Sequence, residues 1–272
     1  MKKTYLLLLL LFALSSCEKQ SDHAIKSENL DLLVVDGILT DEHKPQTIRL
    51  TRTVSELNAP PQAVSQATVI LSEPNFTTFL HEQPTNPGVY QIQGPFVVHP
   101  NVEYSLLITA NGKTYSAKTF MVPPGPLKML RFVKNNDERL YHIQWIVNPY
   151  DGINPAMFEI SLDWSKVAGY TTLPVEQCQA KMYYYTLPTI DVSQIFAPEL
   201  EQIRFPLGTK IVEKRYSLNP EYTEFVRALL LETTWKGGLF DSAPANVPTN
   251  LSQGAVGFFS ACSVVRDSLI VQ

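Results

Sequence analysis

Cys17 carries the most specific chemical signature in this sequence. It closes Leu14-Ser15-Ser16-Cys17, follows nine apolar residues from Leu6 to Leu14, and is preceded near the start by Lys2 and Lys3. A cationic start, an apolar stretch and small residues before a cleavage point make a secretory signal, and a cysteine just past that point supplies a thiol for lipid attachment. The pattern predicts a lipoprotein signal peptide over 1–16, diacylglyceryl transfer to Cys17, cleavage after Ser16 and acylation of the new amino group. Nine apolar residues are too few for a spanning helix, which needs about 20. Several acyl chains anchor stably where one holds only marginally. Glu18 follows the cysteine, in place of the aspartate that often retains such proteins in the inner membrane, so the expected location is the outer membrane. Residues 17–28 read as a lipidated tether.

Other reactive side chains are sparse. With Cys17 lipidated, Cys178 and Cys262 remain in a compartment that permits disulfides; a bridge between them and two separate buried thiols are both open. His23, His43, His81, His99 and His142 are scattered without metal-ligand spacing, so no metal is expected. Asp36, Asp41 and Glu42 lack the repeat of a calcium loop and read as exposed acids. The sequence has no G-x-S-x-G elbow and no phosphate-cradling glycine loop, and no cofactor is expected. Paired carboxylates of the glycosidase kind leave no local motif. The protein is therefore expected not to be an enzyme, with a cell-envelope hydrolase the third-ranked class. Tyr183, Tyr184 and Tyr185 are consecutive, so in a strand Tyr183 and Tyr185 share a face that offers an aromatic contact surface or packs into the core. Trp145, Trp164 and Trp235 carry the same two readings.

The elements that must position these residues are mainly strands. Charged residues are only 18% and hydrophobic residues 44% of 272, a globular profile, and 20 prolines favour a loop-rich β protein over a helical one. Formal charge is −4 with no basic run, which argues against a nucleic-acid partner. Between residues 29 and 122, seven short strands are separated by turn signals. Gln46 to Thr53 alternates with Ile48 and Leu50 on one face, and Asn111-Gly112 suits a type I′ hairpin. Seven strands in this length predict an immunoglobulin-like β-sandwich. Asp36-Gly37 inside an apolar run predicts a bulge or bend. Pro123-Pro124-Gly125-Pro126 cannot join a ladder, so 123–127 is read as a linker between two domains. A β-rich domain over 128–272 follows, with one helix at about 220–234. Asn219 is placed to cap that helix, Pro220 opens it, and Tyr222, Phe225, Val226, Leu229 and Leu230 form its apolar face. Ala243 to Asn250 is too rich in Pro and Asn for a ladder. It reads as an ordered loop, either a recognition loop or a structural crossover.

Several segments together carry a resemblance: Leu33-Val34-Val35-Asp36-Gly37-Ile38-Leu39-Thr40-Asp41, Ile48-Arg49-Leu50-Thr51-Arg52-Thr53, Pro87-Gly88-Val89-Tyr90, Phe240-Asp241-Ser242-Ala243-Pro244 and Gly254-Ala255-Val256-Gly257-Phe258-Phe259. In this order they resemble the uncharacterised lipoproteins of Bacteroidota grouped as domain-of-unknown-function family 4249. The resemblance implies an outer-membrane lipoprotein, often encoded beside a TonB-dependent receptor, that assists nutrient uptake. It supplies no catalytic or binding residues. The leading expectation is thus a non-catalytic accessory to a TonB-dependent receptor, with a surface adhesion or polymer-binding lipoprotein as the alternative.

Overall fold

Alternation of apolar and polar residues decides most of the architecture. The computed structural model describes residues 31–56, 58–135, 139–146, 148–197, 202–238 and 247–272. The strands are β1 (Leu33–Thr40), β2 (Thr47–Arg52), β3 (Thr68–Glu73), β4 (Phe76–Gln83), β5 (Asn86–Ile92), β6 (Glu103–Ala110), β7 (Lys113–Phe120), β8 (Arg131–Lys134), β9 (Leu140–Trp145), β10 (Ala156–Asp163), β11 (Gln179–Thr186), β12 (Phe205–Pro206), β13 (Lys210–Ser217), β14 (Ala255–Cys262) and β15 (Val264–Ile270). A short helix α1 (Val192–Ile195) and a longer α2 (Pro220–Glu232) accompany them. The protein is mainly β, as its sequence predicts.

β1 to β7 and β14 form one eight-stranded sheet in the order β14-β1-β2-β5-β4-β3-β6-β7. Leu33, Val35 and Leu39 of β1, Ile48 and Leu50 of β2, and Tyr104, Leu106 and Ile108 of β6 project into a common core, each at most 1% exposed. Each such side chain contributes about 1.5–3 kcal/mol of hydrophobic stabilisation. Against the expected immunoglobulin-like sandwich over 29–122, the strands of that region form, together with β14, a single sheet that curls until its ends, β14 and β7, approach each other in a nearly closed barrel. The gap between those ends is spliced by the segment just before β14. Asn250 donates from Nδ2 to the carbonyls of Lys118 (2.9 Å) and Phe259 (2.7 Å), and its Oδ1 accepts from the Phe259 amide at 3.1 Å. Leu251 bridges to Ala117, and Ser252 exchanges bonds with Ser116. A barrel so closed exposes few unpaired strand edges.

Two local expectations fare differently. Asn111 and Gly112 both take positive φ, 50° and 73°, as a type I′ hairpin requires. No bulge occurs at Asp36-Gly37: β1 runs in unbroken register against both β2 and β14. Gly37 instead faces the core, where a Cβ would sit 3.2 Å from the Ile48 side chain. A strand position that does demand glycine is Gly257 in β14. Its φ is 91°, and a Cβ there would lie 2.1 Å from the Val35 carbonyl oxygen of the parallel neighbour.

Beyond Phe120 the chain builds a four-stranded sheet, β11-β10-β13-β15, and a three-stranded one, β12-β9-β8. Phe158, Ile160 and Leu162 of β10, Ile211 of β13 and Phe205 of β12 share the core between them. β14 passes directly into β15, so one extended run belongs to the barrel before Ser263 and to the four-stranded sheet after it. Ser263 is held at this crossing from both sides: its amide donates to Ser217 Oγ (2.9 Å) and its hydroxyl to Asp41 Oδ2 (2.6 Å). The Val264 amide donates to Asp41 Oδ1 at 2.8 Å. Helix α2 covers the junction, packing Tyr222, Val226 and Leu230 with Phe258 of β14 and Tyr216 of β13 in a third core. Asn219 caps α2 as predicted, accepting from the Tyr222 amide at 2.8 Å, and its Nδ2 donates to the Phe120 carbonyl at 2.8 Å.

Candidate functional site

Strand β13 carries an unusual inward face. Alternation places Ile211, Glu213, Arg215 and Ser217 on one side, and all four are buried. Ile211 belongs to the core, but Glu213 and Arg215 bring charge into it, at 5% and 3% exposure. The Glu213 carboxyl has an unpartnered Oε1. Burial, with the Asp267 carboxylate across the ladder on β15, pushes its pKa up to about 7.

Arg215 is the inner wall of a cleft of about 550 Å³. One wall is the strap from Val122 to Gly125, another is the loop Gly152–Pro155, and the start of α2 contributes Pro220, Thr223 and Glu224. The loop is shaped by Asp151, whose Oδ1 accepts the amides of Ile153 (2.9 Å) and Asn154 (3.0 Å). Those two amides hold the Asp151 carboxyl below its usual pKa. The turn presents the Asn154 carbonyl to Arg215 Nη2 at 2.9 Å. The guanidinium carbon lies 6.0 Å from the centre of the Phe158 ring, and the strap runs close against the guanidinium at Gly125. A Cβ on Gly125 would lie 2.5 Å from Nη2, so only glycine lets the strap pass this close. Nη1 is buried and has no hydrogen-bond partner. Among the described residues no carboxylate pairs with Arg215 within 4 Å. Burial pulls the guanidinium pKa down and Asp151 offsets part of that, yet arginine stays charged. A partly satisfied cation beside an apolar cleft is an arrangement suited to holding an anion.

The family described as domain of unknown function (DUF4249) matches residues 19–268. The chain belongs to the DUF4249 family. No curated protein matches it.

In this DUF4249 protein the residues singled out by sequence do not converge on the cleft. Cys17, His23, the tether and Ala243–Asn246 lie outside the described residues. Cys178 and Cys262 are both free and buried in different cores, Cys178 beside Trp164 and Cys262 under α2. Burial pushes the Cys262 thiol up to about 12, which makes it unreactive. Tyr183 and Tyr185 share a face of β11 but not a role: Tyr185 packs against the third core, while Tyr183 is 46% exposed and its hydroxyl donates to Glu159 at 3.3 Å. Trp164 and Trp235 are core residues, and the Trp145 side chain lies outside the described set. Among the described residues no three His, Cys, Asp or Glu side chains group as metal ligands. Glu42 pairs with Lys44 and Lys214, and these ammonium groups outweigh burial to hold its carboxyl below the usual range. Asn250 and Thr249, the described end of the Pro/Asn-rich segment, serve barrel closure. Sequence reading missed Arg215 and Glu213. The signal was present: in Ile211-Val212-Glu213-Lys214-Arg215, both charges alternate in phase with the apolar Ile211.

Proposed function

We propose that this DUF4249 protein is an outer-membrane-anchored lipoprotein that acts by binding, as a non-catalytic accessory to a TonB-dependent receptor in nutrient capture or uptake. The observation that carries the reading is Leu14-Ser15-Ser16-Cys17 after a short apolar run, with the family's matched region beginning two residues beyond the cysteine. Lipid at Cys17 would hold the folded part beside the membrane; among the described residues no helix is long and apolar enough to cross one. The resemblance to lipoproteins encoded beside such receptors supplies the partner. The cleft at Arg215 gives the reading a place for a small ligand.

Purification of the anchored protein from gently solubilised outer membrane, with mass spectrometry of what accompanies it, tests the partner. A stoichiometric TonB-dependent receptor is expected. Recovery of the lipoprotein alone at several detergent strengths would overturn the receptor reading in favour of independent surface adhesion. Cys17→Ala tests the anchor separately: the variant is expected unprocessed or released, and normal membrane attachment would contradict lipidation.

A further inference from the structure

We infer that the cleft beside β13 is a binding site for a small, partly apolar monocarboxylate, with Arg215 as its anion-recognising group. Three observations meet there. The cleft walls are largely apolar: Val122, Pro123, Pro124, Pro155, Pro188 and Leu218 line it. Its inner wall holds a cation that is 97% buried by its 3% exposure, with Nη1 unpartnered. The strap packs on that cation through Gly125, where a Cβ would lie 2.5 Å from Nη2, and Gly125 and Arg215 both line the cleft.

An arginine buried without its full set of acceptors is destabilised by each unmet charged donor. A ligand carboxylate seated against the guanidinium supplies an acceptor in a low-dielectric setting, where a charged hydrogen bond is strong. The apolar walls then accept the rest of the molecule. Charge around the cleft selects one negative charge over two. Arg215 and Glu224 are the charged side chains of the lining, so a phosphate dianion would gain one cation and face one carboxylate. A carboxylate of this kind is either a free organic acid or the C-terminus of a short peptide. The inference rests on the binding reading above but not on its receptor.

The test uses the full chain from membranes in phospholipid nanodiscs, with empty nanodiscs as the blank. Calorimetry measures 3-phenylpropionate and N-acetyl-alanyl-leucine, each against its carboxamide. At least one acid is expected to bind, with its amide at least ~10-fold weaker, the loss of one charged hydrogen bond. Binding of the dipeptide alone assigns the site to peptide ends; binding of the aryl acid alone assigns it to free acids. Arg215→Met is expected to abolish binding while retaining the β circular-dichroism spectrum. Because that change alters the core, Ile153 provides a second handle: it lines the cleft and is 86% exposed. Ile153→Glu should weaken the acid several-fold at low salt and Ile153→Lys tighten it. Equal affinity for acid and amide, no acid binding at millimolar concentration, or indifference to both Ile153 variants would each overturn the site. Acid binding without a co-purifying receptor keeps this site and removes the receptor reading; a receptor without acid binding does the reverse.

Discussion

The rim of the barrel and the inward face of β13 bury polar groups in opposite ways. At the rim, Gln46 is 1% exposed, yet its Nε2 donates to the carbonyls of Thr40 (3.0 Å) and Phe96 (2.8 Å) and its Oε1 accepts the Thr40 amide at 3.0 Å. Asn219 and Asn250 are used as fully. On β13, Glu213 and Arg215 are as deeply buried, and each leaves an atom unpartnered. Buried polar groups in native proteins are nearly all satisfied, and the exceptions concentrate where function requires them. The difference separates polar groups that specify the fold from polar groups the fold tolerates for another purpose.

That contrast can be broken by mutation. The largest effect is expected at Gly257, where alanine would meet the Val35 carbonyl and sit at a strained φ; Gly257→Ala should lower stability by about 3 kcal/mol or more, read as a collapse in thermal midpoint or loss of folded protein. Gln46→Leu should cost about 2–4 kcal/mol in urea unfolding, since it strands the Thr40 amide and several carbonyls. A cost below ~1 kcal/mol would remove the barrel rim's side of the comparison.

Glu213→Gln should act in the other direction and depend on pH. The folded carboxyl titrates at about 7 against an ordinary value of 4.5, so between those values the native state holds a proton that the unfolded chain has released. Stability contributed by this group therefore falls as pH rises from 4.5 to about 7 and levels off above. The glutamine variant should be more stable than the parent by about 1–3 kcal/mol at pH 8 and nearly equal to it at pH 4.5. A variant that is destabilised at pH 8 would show that the ionised carboxylate has a partner. Arg215→Met should change stability by less than about 1 kcal/mol, because a partly satisfied buried charge is often matched by an apolar side chain of similar volume. A loss comparable to that of Gln46→Leu would make Arg215 a structural clamp. The smallest effect belongs to Tyr183→Ser, expected within about 0.5 kcal/mol because the ring is half exposed and its hydroxyl bond to Glu159 is long.

Much of the fold was legible from local chemistry. Strands β1 to β7 announced themselves by alternation, the β6–β7 turn by Asn111-Gly112, and α2 by Asn219 and Pro220, because each depends on neighbours within a few residues. Gly37 and Gly257 show where that legibility stops. Both are glycines in strands, and sequence drew attention to the wrong one, since what excludes a side chain at Gly257 is the carbonyl of Val35 more than 200 residues away.

The sequence alone determined the mainly β class and the capped helix, because these follow from short-range order and periodicity. Tertiary structure decided that β14 would join β1 in parallel, that Asn250 would close the barrel, that Cys178 and Cys262 would lie in separate cores, and that Arg215 would stand under a glycine strap beside a cleft. Each of these is a meeting of segments distant in the chain. Such meetings are fixed by how whole sheets pack, and no run of neighbouring residues carries a record of them.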